Sequence, residues 1–191
     1  ADVRKTAVKF QNMINTAPIY VGVDPAFRKG GFWAAILDMT DKTMVFRSFD
    51  LLTWHDWLRS SDAPEMCFVC VENSNLQNQS FDTSGTKLEV ARKGRNVGCN
   101  QAVSQLTYES AVLRYGARQV FQISPKEKGA KITDPRMFLA EMKSDGVLLP
   151  HGPTNQDQRD AAKLAIICRR KAMLEGRFSA KTKNIHYNPG Q

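Results

Sequence analysis

Histidine and cysteine are scarce in this chain, with three and four copies in 191 residues. His55, His151 and His186 fall in peripheral or loop segments and form no spaced pair. They offer no aligned base for cysteine-nucleophile chemistry and no zinc-ligand spacing. Cys67-Phe68-Val69-Cys70 has the spacing of a metal or redox motif, but it lies inside MCFVCVE, an apolar run that reads as a buried strand. Strand side chains alternate between faces, so positions 67 and 70 point apart and do not chelate one ion. Cys67, Cys70, Cys99 and Cys168 are therefore expected as small core residues of a chain from a reducing, cytoplasmic setting. No apolar stretch reaches the length of a membrane helix. The opening segment ADVRKTAVKFQNMINTAP has no continuous apolar region, so no signal peptide is expected in it. Internal repeats and a glycine-rich nucleotide loop are also missing.

What is present is an ordinary globular composition with an unusual charge. Hydrophobic residues make up 42% and charged residues 24%, which is enough to bury a core in one domain. Lys and Arg number 27 against 19 Asp and Glu, a net charge of +8. An excess of that size points to a polyanionic partner, nucleic acid first, and equally fits a basic surface that only keeps the protein soluble.

Residues 1–18 read as an arm or short amphipathic helix ended by Pro18, residues 19–178 as the main domain, and 179–191 as a polar basic tail. IYVGVD, FWAAILD and TMVFRSFDL, separated by short polar turns, predict an antiparallel three-strand meander. TWHDWLRSS predicts a short helix capped by Thr53, and MCFVCVE a fourth strand. Residues 73–96 read as a long polar loop, with at most one helical turn near Leu88. A helix follows over 97–115, with Ala102, Val103, Leu106, Ser110 and Leu113 tracing one face and Gly116 ending it. ARQVFQIS predicts a fifth strand and PKEKGAKI a basic loop. Thr133-Asp134-Pro135 starts another helix that ends at Gly146, and a long helix closes the domain. A meander followed by αβ units predicts an α/β fold, a mixed five-stranded sheet with helices on its faces.

Four acidic residues stand out against that pattern. Asp24 ends the first strand and Glu72 ends the fourth. An acid closing a buried strand is costly unless something satisfies it. Asp157 and Asp160 share one face of the last helix near its start, and Ala161, Leu164, Ile167 and Cys168 continue along or beside that face toward the sheet. Four carboxylates brought together would suit two hard cations and phosphoryl chemistry. Each also has an ordinary structural reading. Asp before Pro is common in turns; Glu72 can be a solvated strand end; acids at a helix N-terminus complement its dipole by roughly 0.3–1 kcal/mol each.

The arrangement resembles that of the RuvC-type Holliday-junction resolvases of the ribonuclease H-like superfamily. GVDPAFRKGGFWAAIL is similar to their first hairpin, VCVEN to the strand ending in a catalytic Glu, and RNVGCNQAVSQLTYESAVLRYG to the long helix after it. VFQISPKEKGAKI is similar to their strand with a lysine-rich loop, and DQRDAAKLAI to their final helix. The resemblance runs from Ile19 to about Arg170 and rests on order and acidic positions more than on any single motif. It implies a ribonuclease H-like nuclease that resolves four-way DNA junctions with Mg²⁺ or Mn²⁺, two ions per site, held by Asp24, Glu72, Asp157 and Asp160. It also implies a lysine near the scissile phosphate, with Lys131 the best match and Lys126 and Lys128 competing. A homodimer is implied too, with helix 97–115 as the candidate interface. Arg92, Lys93 and Arg95 are candidate phosphate contacts, extended by Arg169, Arg170, Lys171, Lys181 and Lys183. An aromatic that the family often places after the Glu is replaced by Asn73, Ser74, Asn75 and Leu76, leaving Phe81 as the candidate wedge. Gln158, Arg159 and Lys163 stand where the family tends to have small residues, and the N-terminal arm is extra, as in a divergent phage or mobile-element member. Two other readings stay open: another ribonuclease H-like enzyme, such as a terminase or RNA–DNA hybrid nuclease, and a non-catalytic branched-DNA-binding module.

Overall fold

The computed structural model describes residues 19–27, 30–76, 84–150 and 155–184, with side chains described up to Gly176. The proposed arm, Phe81, His151, His186 and the side chains of Lys181 and Lys183 lie outside the described residues.

The five apolar runs form one mixed sheet. Its strands are β1 (Ile19–Asp24), β2 (Phe32–Asp38), β3 (Thr43–Phe49), β4 (Cys67–Glu72) and β5 (Val120–Ile123), in the order β3-β2-β1-β4-β5. β1 pairs antiparallel with β2 and parallel with β4; β2–β3 is antiparallel and β4–β5 parallel. The helices are α1 (Leu51–Arg59), α2 (Lys87–Tyr115), α3 (Pro125–Lys128), α4 (Pro135–Ser144) and α5 (Gln156–Asn184), with one 3₁₀ turn at Ser74–Leu76.

Both faces of the sheet are covered, which is why β1 and β4 are apolar at consecutive positions. Val21, Val23, Cys67, Val69 and Val71 pack with Trp54 and Trp57 of α1 and Val103 and Ala111 of α2. Tyr20, Phe68 and Cys70 pack on the other side with α5 and with Phe138 and Met142 of α4. Cys67 and Cys70 thus sit in opposite cores, as strand alternation requires. The same alternation puts Asp24 in phase with Tyr20 and Glu72 in phase with Cys70, on the α5 side.

Gly22 sets how closely α5 approaches. A Cβ there would lie 2.1 Å from Ala165 N and 2.3 Å from Ala161 O, inside the helix backbone. Only a glycine lets α5 lie directly on β1, one residue from the Asp160 turn.

Several local expectations need correction. The segment 87–96 is helix, not loop. Thr86 accepts from Glu89 N and Glu89 Oε2 accepts from Thr86 N, a capping box that starts α2 ten residues before the predicted helix. Its buried residues are Val103, Ser104, Thr107, Ala111 and Tyr115, so only Val103 of the predicted face is buried. Leu106 and Leu113 are 48% and 83% exposed. Asp50, not Thr53, is the N-cap of α1; Thr53 supplies the reciprocal half of the box. Asp134 caps α4, accepting from Arg136 N at 2.7 Å. The PKEK stretch, expected as loop, forms the one-turn helix α3 behind a Ser124–Glu127 capping box. Among the described residues, no helix is long and apolar enough to cross a membrane.

Candidate active site: a carboxylate cluster around a buried lysine

β1 and β4 run side by side in the same direction, with Val23 paired to Val71, so Asp24 and Glu72 leave the sheet at one edge. α5, seated on Gly22, brings Asp160 to the same edge, where it is 3% exposed. At the centre is Lys128, 6% exposed, delivered from β5 by the turn of α3. Its Nζ lies 3.5 Å from Asp24 Oδ1 and 3.4 Å from Asp160 Oδ2, and it pairs closely with Glu72 Oε2. Three carboxylates from three elements therefore share one ammonium.

The electrostatics follow from that count. Burial pushes the Asp24 carboxyl up to about 7; Lys128 pulls it down, and Glu72, Asp160 and Asp157 push it up. Burial alone would lower the Lys128 ammonium, but Asp24, Glu72 and Asp160 outweigh it and hold the group above its ordinary value. One lysine does not neutralise this cluster.

That donor set fits a hard divalent cation, which takes carboxylate oxygens and brings the missing positive charge. Among the described residues, no three acidic, histidine or cysteine side chains already converge tightly enough to grip an ion. The carboxylates are drawn to the ammonium instead, so a cation would have to share or displace Lys128.

The remaining candidates divide clearly. Asp157, in the first turn of α5 and partly buried, acts on Asp24 through its charge. Lys131 is at the mouth, 63% exposed, with Nζ 3.8 Å from Asp160 Oδ2. Lys126 is exposed and joins none of these pairs. Of the three competing lysines the centre belongs to Lys128, not to the best sequence match. Arg92, Lys93 and Arg95 are exposed on the first half of α2, where Leu88, Glu89, Ala91, Arg92 and Arg95 line an open cleft of about 500 Å³. Arg169 donates to Asp145 O, Arg170 forms a two-pronged pair with the Asp145 carboxylate, and Lys171 pairs with Glu127. These three serve the fold as well as the surface charge. His55 is on α1, behind the opposite face of the sheet.

Two further residues at the site carry almost no signal in the sequence. Arg159 and Gln156 both hydrogen-bond into the site's surroundings, and the only sequence signal was that Arg159 is large where a small residue was expected.

No protein-family model matches this chain, and no curated protein matches it either.

The raised Asp24 carboxyl gives a signed expectation for the metal-free protein. Between about pH 4 and pH 7 the unfolded chain ionises Asp24 freely while the folded chain holds its proton. The unfolded state therefore binds fewer protons, and this group's contribution to stability is full below about pH 4 and lost as pH rises through about 7. Thermal unfolding of the wild type and Asp24→Asn across pH 4–8 checks it. The wild type should lose ground to the variant up to about pH 7 and stay level above it. A difference that does not change with pH would show that Asp24 titrates normally.

Proposed function

We propose that this protein is a metal-dependent DNA endonuclease of the ribonuclease H-like type, resolving four-way junctions in the manner of the RuvC-type resolvases it resembles. The observation that carries the reading is the convergence of Asp24, Glu72 and Asp160 on one buried sheet edge. A mixed sheet of an antiparallel meander plus parallel strands, flanked by helices, agrees with what the resemblance implies. The +8 charge suits a polyanionic substrate.

In this reading Asp24, Glu72 and Asp160 hold the cation, with Asp157 at the rim. Bound Mg²⁺ or Mn²⁺ would activate a water and stabilise the leaving oxygen of an in-line phosphoryl displacement. Lys128 balances the carboxylates, and Lys131 at the mouth meets the scissile phosphate and stabilises its developing charge. Arg92, Lys93, Arg95 and Lys126 contact phosphates, giving salt-dependent binding with little sequence information. Phe27 is an exposed aromatic three residues after Asp24, with its N–H bonded to Asn100 Oδ1 at 2.7 Å. It takes the base-stacking role here, beside the earlier candidate Phe81. Cys99, Leu106 and Leu113 recur every seven residues along α2, and the two leucines are exposed. That stripe supports a two-fold dimer through α2, which places two sites for paired nicks.

The test is cleavage of a labelled four-way junction with Mg²⁺ beside duplex, flap and RNA–DNA hybrid substrates. Paired symmetric nicks in the junction are expected. Preferred cutting of another substrate would move the function within the nuclease class, and junction binding without cutting under any divalent metal would leave a binding module.

A further inference from the structure

The Asp160 carboxylate is held from behind. Its Oδ2 faces Lys128 and Lys131, while Oδ1 accepts from Gln156 Nε2 at 2.7 Å. The Gln156 amide is itself fixed, because its Oε1 accepts from Arg159 NH2 at 3.0 Å. A guanidinium on the oxygen end obliges the amide NH₂ to face Asp160. Arg159 is anchored in turn: Nε donates to Ile132 O at 2.9 Å and NH2 to Thr133 O at 3.2 Å. One turn further along α5, Lys163 Nζ donates to Ala130 O at 2.8 Å.

Arg159 is a costly choice for such a place. It is 8% exposed, and its hydrogen-bond partners are all neutral oxygens. A buried charge of this kind needs a compensating interaction. Here the planar fork of the guanidinium is met by two loop carbonyls and an amide oxygen at once.

We propose that Arg159 and Gln156 form a relay that positions the Asp160 carboxylate for cation binding and locks it to loop 129–133, which carries Lys131. Gln156 fixes which Asp160 oxygen faces the site. Arg159 fixes Gln156 and the loop together. Neither touches the reacting atoms; both act through Asp160. The proposal rests on the cluster being a cation site, as proposed above.

The test reads metal binding, not cutting. Mn²⁺ affinity of the metal-free protein is measured by calorimetry for the wild type, Gln156→Met, Arg159→Met and the double variant, with melting temperatures alongside. Loss of such a supporting hydrogen bond typically weakens metal affinity by 10–100-fold, so Gln156→Met should bind Mn²⁺ at least about ten-fold more weakly while its melting temperature stays well above that of the calorimetry. The double variant should be no weaker than Arg159→Met alone, because the two act in series. Arg159→Lys should not restore affinity, since one ammonium cannot span the loop and the amide. If Arg159→Met does not fold, Gln156→Met alone decides. Wild-type affinity in Gln156→Met, or losses that simply add, would overturn the relay and leave the nuclease reading standing. A wild type that binds no Mn²⁺ would sink both.

Discussion

Asp24→Asn should lower metal-dependent cleavage by at least about a thousand-fold, a loss matching the several kcal/mol a cation supplies to the transition state. The substitution keeps the shape of the side chain and removes its charge. Asp24 ends a strand whose neighbours Val21 and Val23 are fully buried, so the fold does not depend on the carboxylate. The metal-free variant should in fact be more stable than the wild type at pH 8, where the wild type must keep a buried carboxylate ionised beside Glu72 and Asp160. Lost activity with gained stability is what a site held together against its own repulsion predicts. A single-turnover assay on the preferred substrate, paired with thermal unfolding in a chelator, measures both. Cleavage within ten-fold of the wild type would remove Asp24 from the site. Lost activity with lost stability would make it a structural residue.

Lys128→Met should destabilise the metal-free protein and make its stability depend on divalent metal. Removing one partner of a buried charge group typically costs about 3–5 kcal/mol, since the others are left without compensation. For a domain of this size that corresponds to a fall of roughly 10 °C in melting temperature. The fall should be smaller below pH 7, where Asp24 takes up a proton and relieves part of the charge. Millimolar Mn²⁺ should restore most of it, because the cation supplies the charge the lysine no longer does. Lys131→Met, at an exposed position, should leave the melting temperature almost unchanged. Equal effects of the two substitutions would contradict the division of roles between centre and mouth.

Much of this was legible in the sequence, and the failures have physical causes. The strands read correctly because β1 and β4 are short apolar runs with turn residues on both sides. Alternation along β4 correctly separated Cys67 from Cys70. Asp24 and Glu72 stand out as acids closing buried apolar strands, and Asp160 as sharing a helix face with Asp157; the fold brings Asp24, Glu72 and Asp160 together on Lys128. The start of α2 was missed because Gly94, Gly98 and a run of polar residues mask its period, although Thr86-Lys87-Leu88-Glu89 is a visible capping box. The predicted face of α2 was wrong because Leu106 and Leu113 are apolar but exposed, so hydrophobicity alone misplaced the stripe. Lys128 could not be ranked above Lys131 without knowing that Ser124 starts a helical turn, which swings position 128 inward. Gly22 looked like any strand glycine; its contact with Ala161 and Ala165 joins segments far apart in sequence. Arg159 counted as a departure from a family pattern, yet in the structure it holds the loop beside the site.

The most direct test of a cation site at this cluster is a crystal of the protein grown with Mn²⁺ and measured at a wavelength where manganese scatters anomalously. Anomalous density is expected between Asp24, Glu72 and Asp160, with the Lys128 ammonium moved away from Glu72. A crystal in which Lys128 keeps all three carboxylates, with no manganese among them at millimolar metal, would contradict it.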